Sequence, residues 1–262
     1  MPTHRREVRR TSRSRRRWPT VLGFLALLAA AGLLTVYALS QSAEANGSQR
    51  PTDTNSTDAT LTAKVPQIDI VGDSYVAGSA QGGKGATNWT KLIGSRFNAR
   101  GQQVDMNVMA LPGSGYLARG STDLVFRETA TLRLRPTADV VVVFGSRNDG
   151  RQTEAAMYQA AKSLYSDIHN IAPQAQVVVI GPVWVDADVP DFIAANNVIM
   201  ARAAEEENVQ YIDALEEGWF AGPEEGLIGA DGIHPTDAGH AYLAAKLLPM
   251  LDEKIKGLTP AG

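Results

Sequence analysis

Cysteine is absent from the 262 residues. Disulfides, thiolate zinc sites and a lipidated anchor cysteine are therefore excluded. Exported proteins can do without disulfides, so this absence leaves the compartment open. Histidine is nearly as scarce. The four are His4, His169, His234 and His240, which leaves few choices for a base that works near neutral pH. No charged residue occurs from Trp18 to Ala43, and large apolar side chains are nearly missing from 41–64. The second stretch cannot bury enough surface to offset its ordering entropy, so 41–65 reads as a flexible linker.

The net charge of −3 is unevenly spread. Residues 1–17 hold eight arginines against Glu7, so residues 18–262 carry −10. An Arg-rich tail can bind nucleic acid, but the acidic remainder and the apolar run after the tail argue against a nucleic-acid partner. As a helix, 21–39 would span roughly 28 Å, close to the thickness of the bilayer hydrocarbon. Trp18 and Tyr37 fall near its ends, where amphipathic rings prefer to sit. The expectation is a single transmembrane anchor at 18–40, with tail 1–17 in the cytoplasm and everything after the anchor outside. Cleavage is the alternative, because Ala43-Glu44-Ala45 has the small-x-small form of a processing site. The mature protein would then be secreted after a cut near Ala45. The apolar core is longer than the usual signal-peptide core of about 7–15 residues, which favours the anchor. Both readings export residues 66–256.

In that region β-rich and helical runs alternate. Strands are expected at 67–71, 104–110, 139–144, 177–180 and 209–212, and helices at about 88–99, 121–134, 153–171, 191–207 and 236–256. The runs Val140–Val143 and Val177–Ile180 are apolar on both faces, as strands covered by helices on two sides must be. The expected fold is α/β, a three-layer α/β/α sandwich with a mainly parallel five-stranded sheet, preceded by one transmembrane helix. Open sheets of this kind bind ligands beyond the carboxyl ends of their strands. Chemically capable residues do follow the strands: Asp73-Ser74, Gly113-Ser114, Arg147-Asn148-Asp149, and the pair Asp231 and His234.

Ser74 stands in Gly72-Asp73-Ser74 at a strand-to-helix turn, where Gly72 permits a sharp bend and Ser or Asp can equally be a plain helix cap. His234 lies in Asp231-Gly232-Ile233-His234-Pro235, held in a loop by the helix start at Pro235 and Thr236. Asp231, three residues earlier, can orient the imidazole as a triad acid does. Asp231, His234 and His240 could also ligate a metal, but without cysteine or a second such cluster the triad reading is preferred. His240 reads as structural and His169 as a packing or surface residue. Gly113 can offer an unobstructed backbone N–H and Asn148 an amide NH₂ to a developing oxyanion, although either could be only a turn residue. Trp89, Trp184 and Trp219 are candidates for the cleft wall, with a core role as the alternative.

Taken together, these residues resemble the SGNH (GDSL-type) hydrolase family, whose four blocks contribute Ser, Gly, Asn and His in that order. Ser74, Gly113, Asn148 and the Asp231-Gly232-Ile233-His234-Pro235 block match over about 66–256. One departure is Ser146, where the third block usually has glycine; here glycine is at 145. The Gly-x-Ser-x-Gly elbow of the other large esterase class is missing. The resemblance implies ester hydrolysis through an acyl-enzyme, with Ser74, Asp231 and His234 as triad and Ser74, Gly113 and Asn148 as oxyanion hole. It implies no metal or other cofactor. The partner expected is an ester of the cell envelope, with short acyl groups on glycan or glycolipid. A lipid acyl hydrolase, an acyltransferase or a non-catalytic envelope-binding module on the same fold are the alternatives. Nothing in the sequence sets the oligomeric state.

Overall fold

The computed structural model describes residues 64–258 except 146 and 223–225. The expected tail, anchor and most of the linker lie outside the described residues, as does Ser146. Among the described residues no helix is long and apolar enough to cross a membrane.

Five strands form one parallel sheet in the order β2-β1-β3-β4-β5. They are β1 (Gln67–Gly72), β2 (Asp105–Ala110), β3 (Val140–Phe144), β4 (Gln176–Ile180) and β5 (Gln210–Ile212). The helices are α1 (Ser74–Ala77), α2 (Trp89–Ala99), α3 (Phe126–Arg133), α4 (Glu154–Ile171), α5 (Asp191–Glu206) and α6 (Asp237–Lys256). Short 3₁₀ turns occupy Gly85–Thr87 and Arg147–Asp149.

Alternation along the strands builds two cores. Val141 and Val143 of β3 face Ala130, Leu164 and Met200 from α3, α4 and α5. Val140, Val142 and Phe144 face Trp89 and Phe97 of α2 and Leu243 and Leu247 of α6. The valine runs are thus buried on both sides, as a parallel sheet between helical layers requires.

Two local expectations change. The helix expected from 121 starts at Phe126. Asp123 takes a left-handed φ of 58°, which breaks the run, and Glu128 Oε2 accepts from the N–H of Val125 at 3.2 Å to fix the later start. Gly72 is needed for space and not for a left-handed φ. A Cβ there would lie 2.3 Å from Val76 Cγ2 and 2.7 Å from the Phe144 carbonyl oxygen.

Strand order reverses at β1. The chain leaves β1 towards β2 on one side, and β3 returns to its other side. The crevice at such a switch point is where open α/β sheets hold ligands. Asp73-Ser74 directly follows Gly72, and Arg147-Asn148 follows its paired residue Phe144 after two intervening positions.

Candidate functional site

Ser74 is the first residue of α1. Asp73 caps this one-turn helix by accepting from the Tyr75 N–H at 2.8 Å. The turn is also clamped from α2: Trp89 Nε1 donates to the Tyr75 carbonyl at 3.0 Å, and Asn88 Nδ2 to that of Val76 at 2.9 Å. Ser74 is 8% exposed, so its hydroxyl is reached from one side only.

The loop before α6 is closed on itself. Gly229 N–H donates to the His234 carbonyl at 2.8 Å, and Ile228 bridges Pro235. Within it, Asp231 Oδ1 accepts from the N–H groups of Ile233 (2.9 Å) and His234 (3.0 Å). Its Oδ2 is 2.7 Å from His234 Nδ1. Thr236 caps α6 by accepting from Gly239 N–H at 3.1 Å. The His234 N–H, the imidazole and the Ile233 N–H, in that order, hold the Asp231 carboxyl down at about 2, so it is a carboxylate at any ordinary pH. On the other side of the ring, His234 Nε2 is 3.0 Å from Ser74 Oγ. Three side chains, the outermost in sequence 160 positions apart, thus form one hydrogen-bonded line.

Gly113 has a φ of 79°, a left-handed conformation that suits glycine. Among the described residues, neither its N–H nor that of Ser74 donates to a protein acceptor. Asn148 sits in the 3₁₀ turn after β3. Its Nδ2 donates to the Ser114 carbonyl at 2.9 Å and to Asp73 Oδ2 at 3.2 Å. It therefore ties together the two loops that carry Gly113 and Ser74, and both amide hydrogens are engaged. Asp149, beside it, is buried and accepts from the N–H groups of Tyr116, Leu117 and Ala118 at 2.7–3.0 Å. Burial raises its pKa despite those three donors. Its anchoring of 116–118 is the signal that the Asn-Asp pair carried and that attention to Asn148 alone overlooks.

Trp89 and Trp219 belong to the core, whereas Trp184 is half-buried under the Arg147 guanidinium, 4.1 Å from the ring centroid. His169 Nε2 meets the Glu207 carbonyl at 3.0 Å. His240 is fully buried, and its Nε2 has no hydrogen-bond partner among the described residues. Burial pushes its pKa down to about 4, against the opposing charge of Asp237. The folded protein thus keeps this ring neutral where the unfolded chain would protonate it. Stability should hold above about pH 6.5 and fall as pH drops through the window to about 4. Melting curves should show this fall, and His240→Phe should flatten it within that window.

A groove of about 740 Å³ runs between α3 and α4, lined by Leu117, Leu124, Val125, Leu132 and Ala160 among others. Neither Ser74 nor His234 lines it, so volume and chemistry point to different places. The polar line at the switch point marks the candidate site.

A model of the GDSL-like Lipase/Acylhydrolase family matches residues 70–242. A GDSL lipase of Mycobacterium tuberculosis is 33% identical over 201 residues, which is 76% of this chain and 87% of that relative. Among solved structures, a lipase/acylhydrolase from Enterococcus faecalis aligns with a TM-score of 0.58 at 20% identity, over 72% of this chain and 97% of that one. An acetylxylan esterase from Geobacillus stearothermophilus aligns at 0.54 and 20%, over 70% and 93%. At those identities the solved structures speak for the fold, while the family model and the lipase relative speak for the family. By that match this chain belongs to the GDSL-like lipase/acylhydrolase family and is a carboxylic ester hydrolase.

Proposed function

We propose that the chain is an extracytoplasmic serine esterase in which Ser74 attacks the ester carbonyl, His234 takes and returns the proton, and Asp231 holds the imidazole. The observation that carries this is the continuous line of 3.0 Å from Ser74 Oγ to His234 Nε2 and 2.7 Å from His234 Nδ1 to Asp231 Oδ2. An ionised Asp231 accepts a hydrogen bond from Nδ1–H, which leaves the Nε2 lone pair facing the Ser74 hydroxyl. The imidazolium formed on attack then donates its proton to the departing alcohol. A water activated by the same ring releases the acyl group. The N–H groups of Ser74 and Gly113 and the amide of Asn148 are the donors for the oxyanion.

The substrate reading is a short acyl group on cell-envelope glycan or glycolipid. It draws support from the fold shared with an acetylxylan esterase. The 33% identical lipase favours a second reading, hydrolysis of longer lipid esters. The location reading rests on the arginines of 1–17, the charge-free stretch within 18–40 and the linker 41–65, with 66–256 as the catalytic domain.

One experiment tests both readings. The protein should fractionate with membranes, and protease added outside intact cells should release a soluble fragment beginning in the linker. That fragment should hydrolyse p-nitrophenyl acetate and butyrate at least about tenfold faster than the laurate, since excess methylenes that do not fit cost about 1–3 kcal/mol. Protection from external protease would overturn the location. A preference for laurate would replace the short-acyl reading with the lipid one.

A further inference from the structure

The loop that carries His234 has little apolar burial to hold it. Asp231 and His234 are partly exposed, and Ile233 is 40% exposed. Its position opposite Ser74 must come from polar tethers. Two reach it from the nucleophile side of the cleft. The Tyr75 hydroxyl donates to the Ile233 carbonyl, one residue before His234. The Gln81 side-chain oxygen accepts from the Ala230 N–H at 3.2 Å.

Tyr75 differs from Gln81 in being rigid. It is 2% exposed, with its ring packed against Phe144 and Phe220 at centroid distances of 6.2 and 6.0 Å. Its backbone is clamped at both ends, by Asp73 on the N–H and Trp89 on the carbonyl. Ser74 is its chain neighbour in the same helical turn. Nucleophile and tether are therefore parts of one fixed body, and the phenol measures the distance from that body to the histidine loop.

Burial raises the Tyr75 pKa, and the Arg147 charge partly offsets that rise. The guanidinium is backed by Trp184, and its Nη1 is buried without a hydrogen-bond partner among the described residues. The exposed Arg96 and Arg133 can be hydrated, but this nitrogen cannot.

We infer that Tyr75 is a positioning residue for the hydrolysis, and that its hydroxyl locks the Ile233 carbonyl and so sets the His234 ring against Ser74. This rests on the Ser74–His234 reading above. The Asp231–His234 contact lies within the loop and does not depend on Tyr75. Loss of the hydroxyl should therefore leave that pair intact and displace it as a unit.

The test is Tyr75→Phe in the full-length protein, which keeps the packed ring and leaves the Ile233 carbonyl to water. Two rates should fall together by about tenfold: kcat for p-nitrophenyl butyrate, and phosphonylation of Ser74 by a p-nitrophenyl methylphosphonate ester. Misplacement of a catalytic group by a fraction of an ångström has effects of that size or more. KM should stay within about twofold, and the midpoint of the acid limb should not move. A merely structural role would lower the melting temperature and leave the rate per folded molecule unchanged. Gln81→Leu, at the second tether, should slow the same two rates. Combined with Tyr75→Phe it should give a loss that departs from the product of the single effects, because both tethers hold one loop. Wild-type rates in folded Tyr75→Phe, with Ser74→Ala inactive, would overturn the inference alone. Activity retained in Ser74→Ala would overturn the serine reading and this inference with it.

Discussion

Ser74→Ala should lower kcat on p-nitrophenyl acetate by about 10⁶ and abolish the burst of acyl-enzyme, with the fold intact. Removing the nucleophile of a triad costs about as much as removing the whole triad, because the remaining members have nothing to activate. The structure keeps the two consequences separable. The Ser74 hydroxyl has one side-chain partner, His234 Nε2 at 3.0 Å, in a partly solvated site. Losing such a bond costs about 1 kcal/mol. The α1 turn is held by Asp73, Asn88 and Trp89, none of which needs the hydroxyl. The melting curve should therefore move by only a few degrees while turnover disappears. Burst amplitude and melting temperature on the same sample decide the matter. Turnover within about tenfold of wild type in the folded variant would remove Ser74 from the chemistry.

The sheet was legible because its strands are short, apolar on both faces and separated by helical runs. Val140–Val143 and Val177–Val179 could be read without any partner. The proximity of Asp231 and His234 was legible for a different reason: the contact is local, closed within one four-residue stretch by the Ile233 and His234 N–H groups. Ser74 is distant in sequence, and the rule that site loops follow the carboxyl ends, with the four-block resemblance, pointed to its meeting them; the order that sets β1 beside β3 is a feature of the structure. What stayed hidden are contacts between loops that leave no periodic trace. The Tyr75 hydroxyl on the Ile233 carbonyl and Gln81 on Ala230 N–H join segments roughly 150 residues apart through one atom each. The start of α3 lies five residues later than expected, because the left-handed φ at Asp123 interrupts the run. Gly72 was read as a bend and is instead a close approach of β1 to Val76 and Phe144. Such steric reasons appear only when the neighbours are in place.

Asn148→Ala should lower kcat by about 10²–10³, roughly 3–4 kcal/mol, with little change in KM. An oxyanion donor acts on charge that exists only in the transition state, so its loss should not weaken ground-state binding. The geometry adds a condition. Asn148 Nδ2 now spends one hydrogen on the Ser114 carbonyl at 2.9 Å and the other on Asp73 Oδ2 at 3.2 Å. An amide has two donors, so a tetrahedral oxyanion must draw one of them away. The longer bond to Asp73 is the weaker, and catalytic donors commonly tighten onto the reacting group only when it is present. Asp73 keeps the Tyr75 N–H when this happens, so the α1 turn stays capped. Asn148→Asp separates donor chemistry from bridging. It preserves shape but offers only acceptors when ionised, so it should be at least as slow as Asn148→Ala. A residue that merely tied the Ser114 and Asp73 loops would behave otherwise: the melting temperature would fall in both variants, and the rate per folded molecule would stay near wild type. Kinetics and melting curves on the three proteins separate these cases. Near wild-type kcat in a folded Asn148→Ala protein would take Asn148 out of the oxyanion hole and leave the N–H groups of Ser74 and Gly113 as its donors.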